Sequence, residues 1–138
     1  MSAFSNFSED TIINVWLRVQ TTYKPPAIYI GLWTATLTDA STGSTASEVS
    51  GGAYAREQVV QADANWDATA GGDGHTQNSL AITFTTATAS WGTVTDVMVV
   101  DASSAGNSIF YGALTSSKVV DTDDTFEFAI GDLDITIA

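Results

Sequence analysis

From Ser79 onward, short runs of β-branched and aromatic residues alternate with small turn-forming clusters at nearly regular spacing. That rhythm restricts the fold more than any other feature, because runs this short do not sustain a helix but do suit strands. The predicted strands are residues 80–84, 93–100, 108–113, 118–120, 125–130 and 133–137. Phe126, Phe128 and Ile130 fall on one face of their run, with Glu127 and Ala129 on the other. Leu133, Ile135 and Ile137 alternate in the same way with Asp134 and Thr136. Alternation of this kind puts one face in a core and the other in water. Residues 97–100 are continuously apolar, which suits a central strand, and 102–107 then read as a hairpin loop.

Upstream, residues 28–34 form a compact run of β-formers, followed by a polar loop through Glu48. Gly51 and Gly52 then turn the chain into a second strand candidate at 54–60. A further polar loop at 62–77 contains Gly71, Gly72, Asp73 and Gly74; loops this long usually carry function. The predicted architecture is all-β: an antiparallel β-sandwich of jelly-roll or Greek-key type, built from about eight short strands.

One helix precedes it. Ser8 is the predicted N-cap, Glu9 and Asp10 complement the dipole of the first turn, and Ile12, Ile13, Trp16 and Leu17 form an apolar face. Phe7 would pack on Ile12 as a hydrophobic staple. Pro25 and Pro26 end the helix before Lys24. The apolar face is expected to lie on the chain's own sheet. The chain thus divides into an N-terminal arm with a short helix at 1–24 and the sandwich at 25–138.

With 138 residues the chain suits a single domain with a real core, and without cysteine it has neither disulfides nor thiolate metal sites. The first residues lack the basic region and apolar run of a secretory signal, and no segment approaches a membrane span. A soluble product of a cytosol is expected. Sixteen acids face only Arg18, Lys24, Arg56 and Lys118, for a net charge of −12. Direct nucleic-acid binding is thereby disfavoured, since it depends on neutralising phosphates, and so is contact with an anionic membrane.

The residues offer little chemistry. His75 is the single histidine and sits in a Gly-rich loop, a poor place for a catalytic triad. Asp121, Asp123, Asp124 and Glu127 lack the spacing of an EF-hand and read as a turn stabilised by Asx side chains. Residues 71–74 lack the Lys-Ser/Thr of a phosphate loop. Of the aromatics Trp33, Trp66, Trp91, Tyr29, Tyr54 and Tyr111, most are expected in the core. No catalytic residue, cofactor or metal is expected.

Pro25 to Thr34 (PPAIYIGLWT), Glu48 to Arg56 (EVSGGAYAR), Ile82 to Val94 (ITFTTATASWGTV), Gly112 to Lys118 and Asp124 to Asp132 occur here as an ordered series. The series resembles a family of small structural proteins of tailed-phage virions, variously labelled head decoration, cement or tail-fibre-like. Trp33 departs from the resemblance, which commonly has a smaller or polar residue there. The resemblance implies a non-enzymatic virion protein assembled in the bacterial cytoplasm, and two placements follow.

As a capsid cement it would sit on the outer surface of the head as a homotrimer, clamping major capsid protein subunits through an N-terminal arm that includes Met1, Phe4 and Phe7. As a tail-tip or fibre protein it would touch a host-surface glycan through Trp66 and His75. The lack of any coiled-coil or collagen-like shaft favours the cement placement.

Overall fold

The structure is a computed structural model and describes residues 3–18, 21–69, 72 and 74–137. Elements follow in the order β1 (Ala3–Phe4), α1 (Asn6–Leu17), β2 (Ile28–Trp33), β3 (Glu57–Val59), β4 (His75–Gln77), β5 (Ile82–Thr83), β6 (Gly92–Val100), β7 (Ser108–Val120), β8 (Glu127–Phe128) and β9 (Asp134–Thr136). All strand pairs are antiparallel. Five strands form one sheet in the order β1-β7-β6-β2-β3, while β4-β9 and β5-β8 form two-stranded ribbons. The fold is all-β and sandwich-like, with one short helix. Among the described residues no helix is long and apolar enough to cross a membrane.

The main core lies between one face of the five-stranded sheet and the ribbons. Ile30, Leu32, Val97 and Val99 from the sheet meet Phe84, Phe126, Phe128, Leu133 and Ile135 from the other layer. Phe84 and Phe126 pack edge to face with centroids 5.7 Å apart, the geometry that aligns ring edge with ring face. A smaller cluster of Trp33, Leu37, Met98 and Val100 covers the opposite face of the sheet. The uninterrupted apolar run of β6 is thereby explained: its alternate residues enter two different cores. Trp33, the departure from the family pattern, anchors the smaller one.

Several boundaries differ from the sequence reading. The runs at 108–113 and 118–120 are a single long strand, β7, with a register shift opposite Val94 and Asp96 that absorbs the polar residues between them. The strand β4 emerges from the supposed loop at 62–77 because β9 supplies its hydrogen-bonding partner. Ile130 and Ile137 do not continue the alternation of their runs; they are exposed, since the chain turns at Gly131 after β8 and β9 ends at Thr136.

The helix is capped by Ser5 rather than Ser8. The Ser5 side chain accepts the Ser8 N–H at 3.3 Å and donates to the Ser108 carbonyl, while Ser8 Oγ donates to the Ile109 carbonyl at 2.7 Å. Both serines are spent on β7, and the helix starts three residues nearer the N-terminus than expected. Phe7 is therefore inside α1, where its ring meets Tyr23 edge-on at 5.2 Å. The expected burial of the apolar helix face on the chain's own sheet is not found: Trp16 is 77% and Leu17 78% exposed.

Candidate functional site

Two constructions stand out, one closed and one open. The closed one is centred on Arg56, a buried cation over Trp33 at the smaller core. Its Nε and Nη2 donate to the two carboxylate oxygens of Glu48 at 2.6 and 2.7 Å, a bidentate pair. Nη1 donates to the carbonyls of Ala102 and Ala105, both at 2.8 Å, and Nη2 also reaches the Gly43 carbonyl at 2.6 Å. All five guanidinium N–H groups are thus used, and the plane lies 5.6 Å from the Trp33 ring centroid. Tyr54 completes the network: its hydroxyl donates to Glu48 at 3.1 Å and accepts the Leu32 N–H at 2.9 Å. One arginine therefore ties the 34–48 loop to the β6–β7 hairpin. Its chemistry is structural, since no donor is left for a ligand.

Sequence reasoning missed this clamp. Glu48, Tyr54 and Arg56 all belong to the segment that carries the family resemblance. The available signal was one basic residue among strand-forming neighbours in a strongly acidic chain.

The open construction is a cleft of about 660 Å³ beside Trp66, floored by Val99, Phe110 and Ile135. Trp66 is held from both sides. Asp67 N–H donates to the Gln77 carbonyl, Thr76 Oγ1 donates to the Asp67 carbonyl, and Ser79 N–H donates to the Asn65 carbonyl. The Asp67 carboxylate accepts from Ser79 Oγ and, at 2.7 Å, from Gln77 Nε2. Those hydrogen bonds hold its acid below the ordinary carboxylate range. The long loop is thus fastened along the β4 side.

His75 stands across the β4–β9 ribbon, its Nε2 3.1 Å from Asp134 Oδ2. Burial pushes the Asp134 carboxyl up, but hydrogen bonds from His75 and Thr136 outweigh it and keep the acid below its usual value. Trp66 and His75 therefore flank the same ribbon, although only Trp66 lines the cleft.

Of the other predicted contact residues, Phe4 lies in β1 and stacks on Phe110 at 5.3 Å, and Phe7 lies in α1. The segment expected as an arm thus adds a strand to the sandwich's sheet from Ala3 onward; Met1 falls outside the described residues. Trp33 and Trp91 are core residues, as expected. The acids at 121–124 make a turn in which Asp121 N–H donates to Asp124 Oδ2 at 2.9 Å. Among the described residues no group of three or more His, Cys, Asp or Glu is placed to hold a metal.

A family model described as Podophage GP4 fiber I protein gp80 matches residues 3–136. The chain belongs to this family. It is a family of tailed-phage virion structural proteins, so the resemblance read from the ordered segments is met at that level. No curated protein matches the chain at a significant level. In this member of the gp80 fiber I family, the matched span takes in the Arg56 clamp, both cores and the Trp66 cleft.

Proposed function

We propose that the chain is a non-catalytic, fibre-type surface subunit of the virion that touches the host. The observation that carries this reading is the Trp66 cleft, an open site that sets an aromatic ring among polar side chains over an apolar floor. The family description, which names a fibre protein, points the same way. So does the pairing of β1: Ala3 and Phe4, which a docking arm would hold out for the capsid, are engaged with Tyr111 and Phe110 of β7 in the chain's own sheet.

A capsid-decoration role, as a homotrimer bridging major capsid protein subunits, is the second reading. It draws on the exposed stripe of Ile13, Trp16 and Leu17, an apolar surface suited to another virion protein. A density map of the intact virion tests both. The fibre reading expects this fold at the tail, and its presence only on the head surface would replace that reading with decoration.

A further inference from the structure

We propose that the Trp66 cleft binds a saccharide of the neutral or amino-sugar class. The proposal rests on the fibre reading for its biological setting only; binding itself is a property of the folded chain. At about 660 Å³ the cleft falls within the range of small-molecule sites.

The tryptophans point to the ligand class. Trp33 Nε1 donates to the Thr45 carbonyl at 3.1 Å and Trp91 Nε1 to the Gly52 carbonyl at 2.9 Å, as buried indoles ordinarily do. Trp66 packs against the same core as Trp91, yet its Nε1 makes no hydrogen bond among the described residues. It presents an apolar ring with a spare donor at its edge. A sugar ring has the matching character, with C–H groups on its faces and hydroxyls around its rim.

The cleft wall supplies the rest. Gln61, Asp63, Thr69 and Thr76 line it with amide, carboxylate and hydroxyl groups able to pair with sugar hydroxyls. Asp63 and Asp67, on a chain of net charge −12, oppose sialic acids, uronic acids and phosphorylated ligands. A protonated amino sugar is favoured by the same charges. The hydrogen bonds that fasten Asn65 and Asp67 on either side of Trp66 hold the platform in place before a ligand arrives, which reduces the ordering cost of binding.

The full chain, labelled with nitrogen-15, would be titrated with galactose, rhamnose, N-acetylglucosamine, glucosamine and N-acetylneuraminic acid while the indole N–H resonances are followed. A Trp66→Phe variant assigns the resonance. The expected result is a saturable shift of the Trp66 signal by at least one neutral or amino sugar, with a Kd on the order of 1 mM. The Trp33 and Trp91 signals should stay in place, and N-acetylneuraminic acid should cause no shift. Asp63→Ala, which alters an exposed side chain, should weaken the response roughly tenfold.

Absence of a saturable shift with all four neutral and amino sugars would overturn the proposal. So would an equal response to N-acetylneuraminic acid, or equal shifts at the exposed Trp16. A head location in the virion map would defeat the fibre reading while leaving this titration unaffected.

Discussion

Arg56 Nε lies 2.6 Å from Glu48 Oε1 in a pair whose arginine side chain is only 2% exposed. Bringing two charges this far out of water is costly, and the pair is sustained because every remaining guanidinium N–H finds an acceptor. Arg56→Met would leave Glu48 with the Tyr54 hydroxyl but no cation, and the carbonyls of Gly43, Ala102 and Ala105 without the guanidinium donors. The expected loss is about 3 kcal/mol, measured by urea denaturation. An unchanged midpoint would show that the clamp is dispensable.

Alkaline pH should act through two tyrosines. Burial raises Tyr54 well above its ordinary value, and although the Leu32 N–H works against this, the Glu48 charge adds to it. Tyr23 is pushed up to about 12 by burial and by its hydrogen bond to Asp101. Both folded values exceed that of the unfolded chain, so their contribution is complete below about pH 10 and is lost as pH rises beyond it. The melting temperature should therefore be level just below about pH 10 and fall above it, less steeply in Tyr54→Phe. A parallel fall in wild type and variant would exclude Tyr54 as a cause.

Gly52 has φ of +54°, and a Cβ there would lie 2.7 Å from the Ala89 carbonyl oxygen. Gly51 has φ of +72° with open space around it. Gly51→Ala should thus cost about 1 kcal/mol from backbone strain, whereas Gly52→Ala should cost more because a backbone atom must also give way. Thermal melts of the two variants compare them directly, and equal losses would dismiss the steric component.

The exposed apolar stripe of α1 makes little contribution to folding. Trp16→Ser combined with Leu17→Ser should change stability by no more than about 0.5 kcal/mol. Incorporation into virions, assayed by immunoblotting purified particles, should fall if the stripe meets another virion protein. A loss of several kcal/mol would instead mean that the helix face is buried in the chain's own fold in solution.

Much of the β framework was legible because alternation is a local property. Phe126 with Phe128, and Leu133 with Ile135, enter the core as their spacing required. The apolar run at 97–100 announced a strand covered on both faces, and β6 is one. The helix was legible in kind but shifted in register. Ser5 and Ser8 are both competent caps, and the choice rests on Ser108 and Ile109, about a hundred residues away in sequence. The strand β4 has only three residues and no apolar pattern, so its partner β9 alone makes it a strand.

The candidate site was legible only in part. Trp66 could be picked out as an aromatic in a long polar loop, but not that Gln77, Thr76 and Ser79 would fasten that loop. Arg56 looked like one polar residue of an alternating strand. Its acceptors come from the 34–48 loop and the β6–β7 hairpin, segments with no local relation to it.

The amino-acid sequence on its own determined the strand-forming runs, the all-β class and the membership in a virion family, because side-chain periodicity and an ordered series of segments are written along the chain. Only tertiary structure decided that Arg56 is an internal clamp, that α1 keeps its apolar face outward and that Trp66 floats no free loop but stands on a fastened rim. Each of those outcomes depends on which distant backbone groups arrive with unpaired donors or acceptors, and local pattern does not encode that.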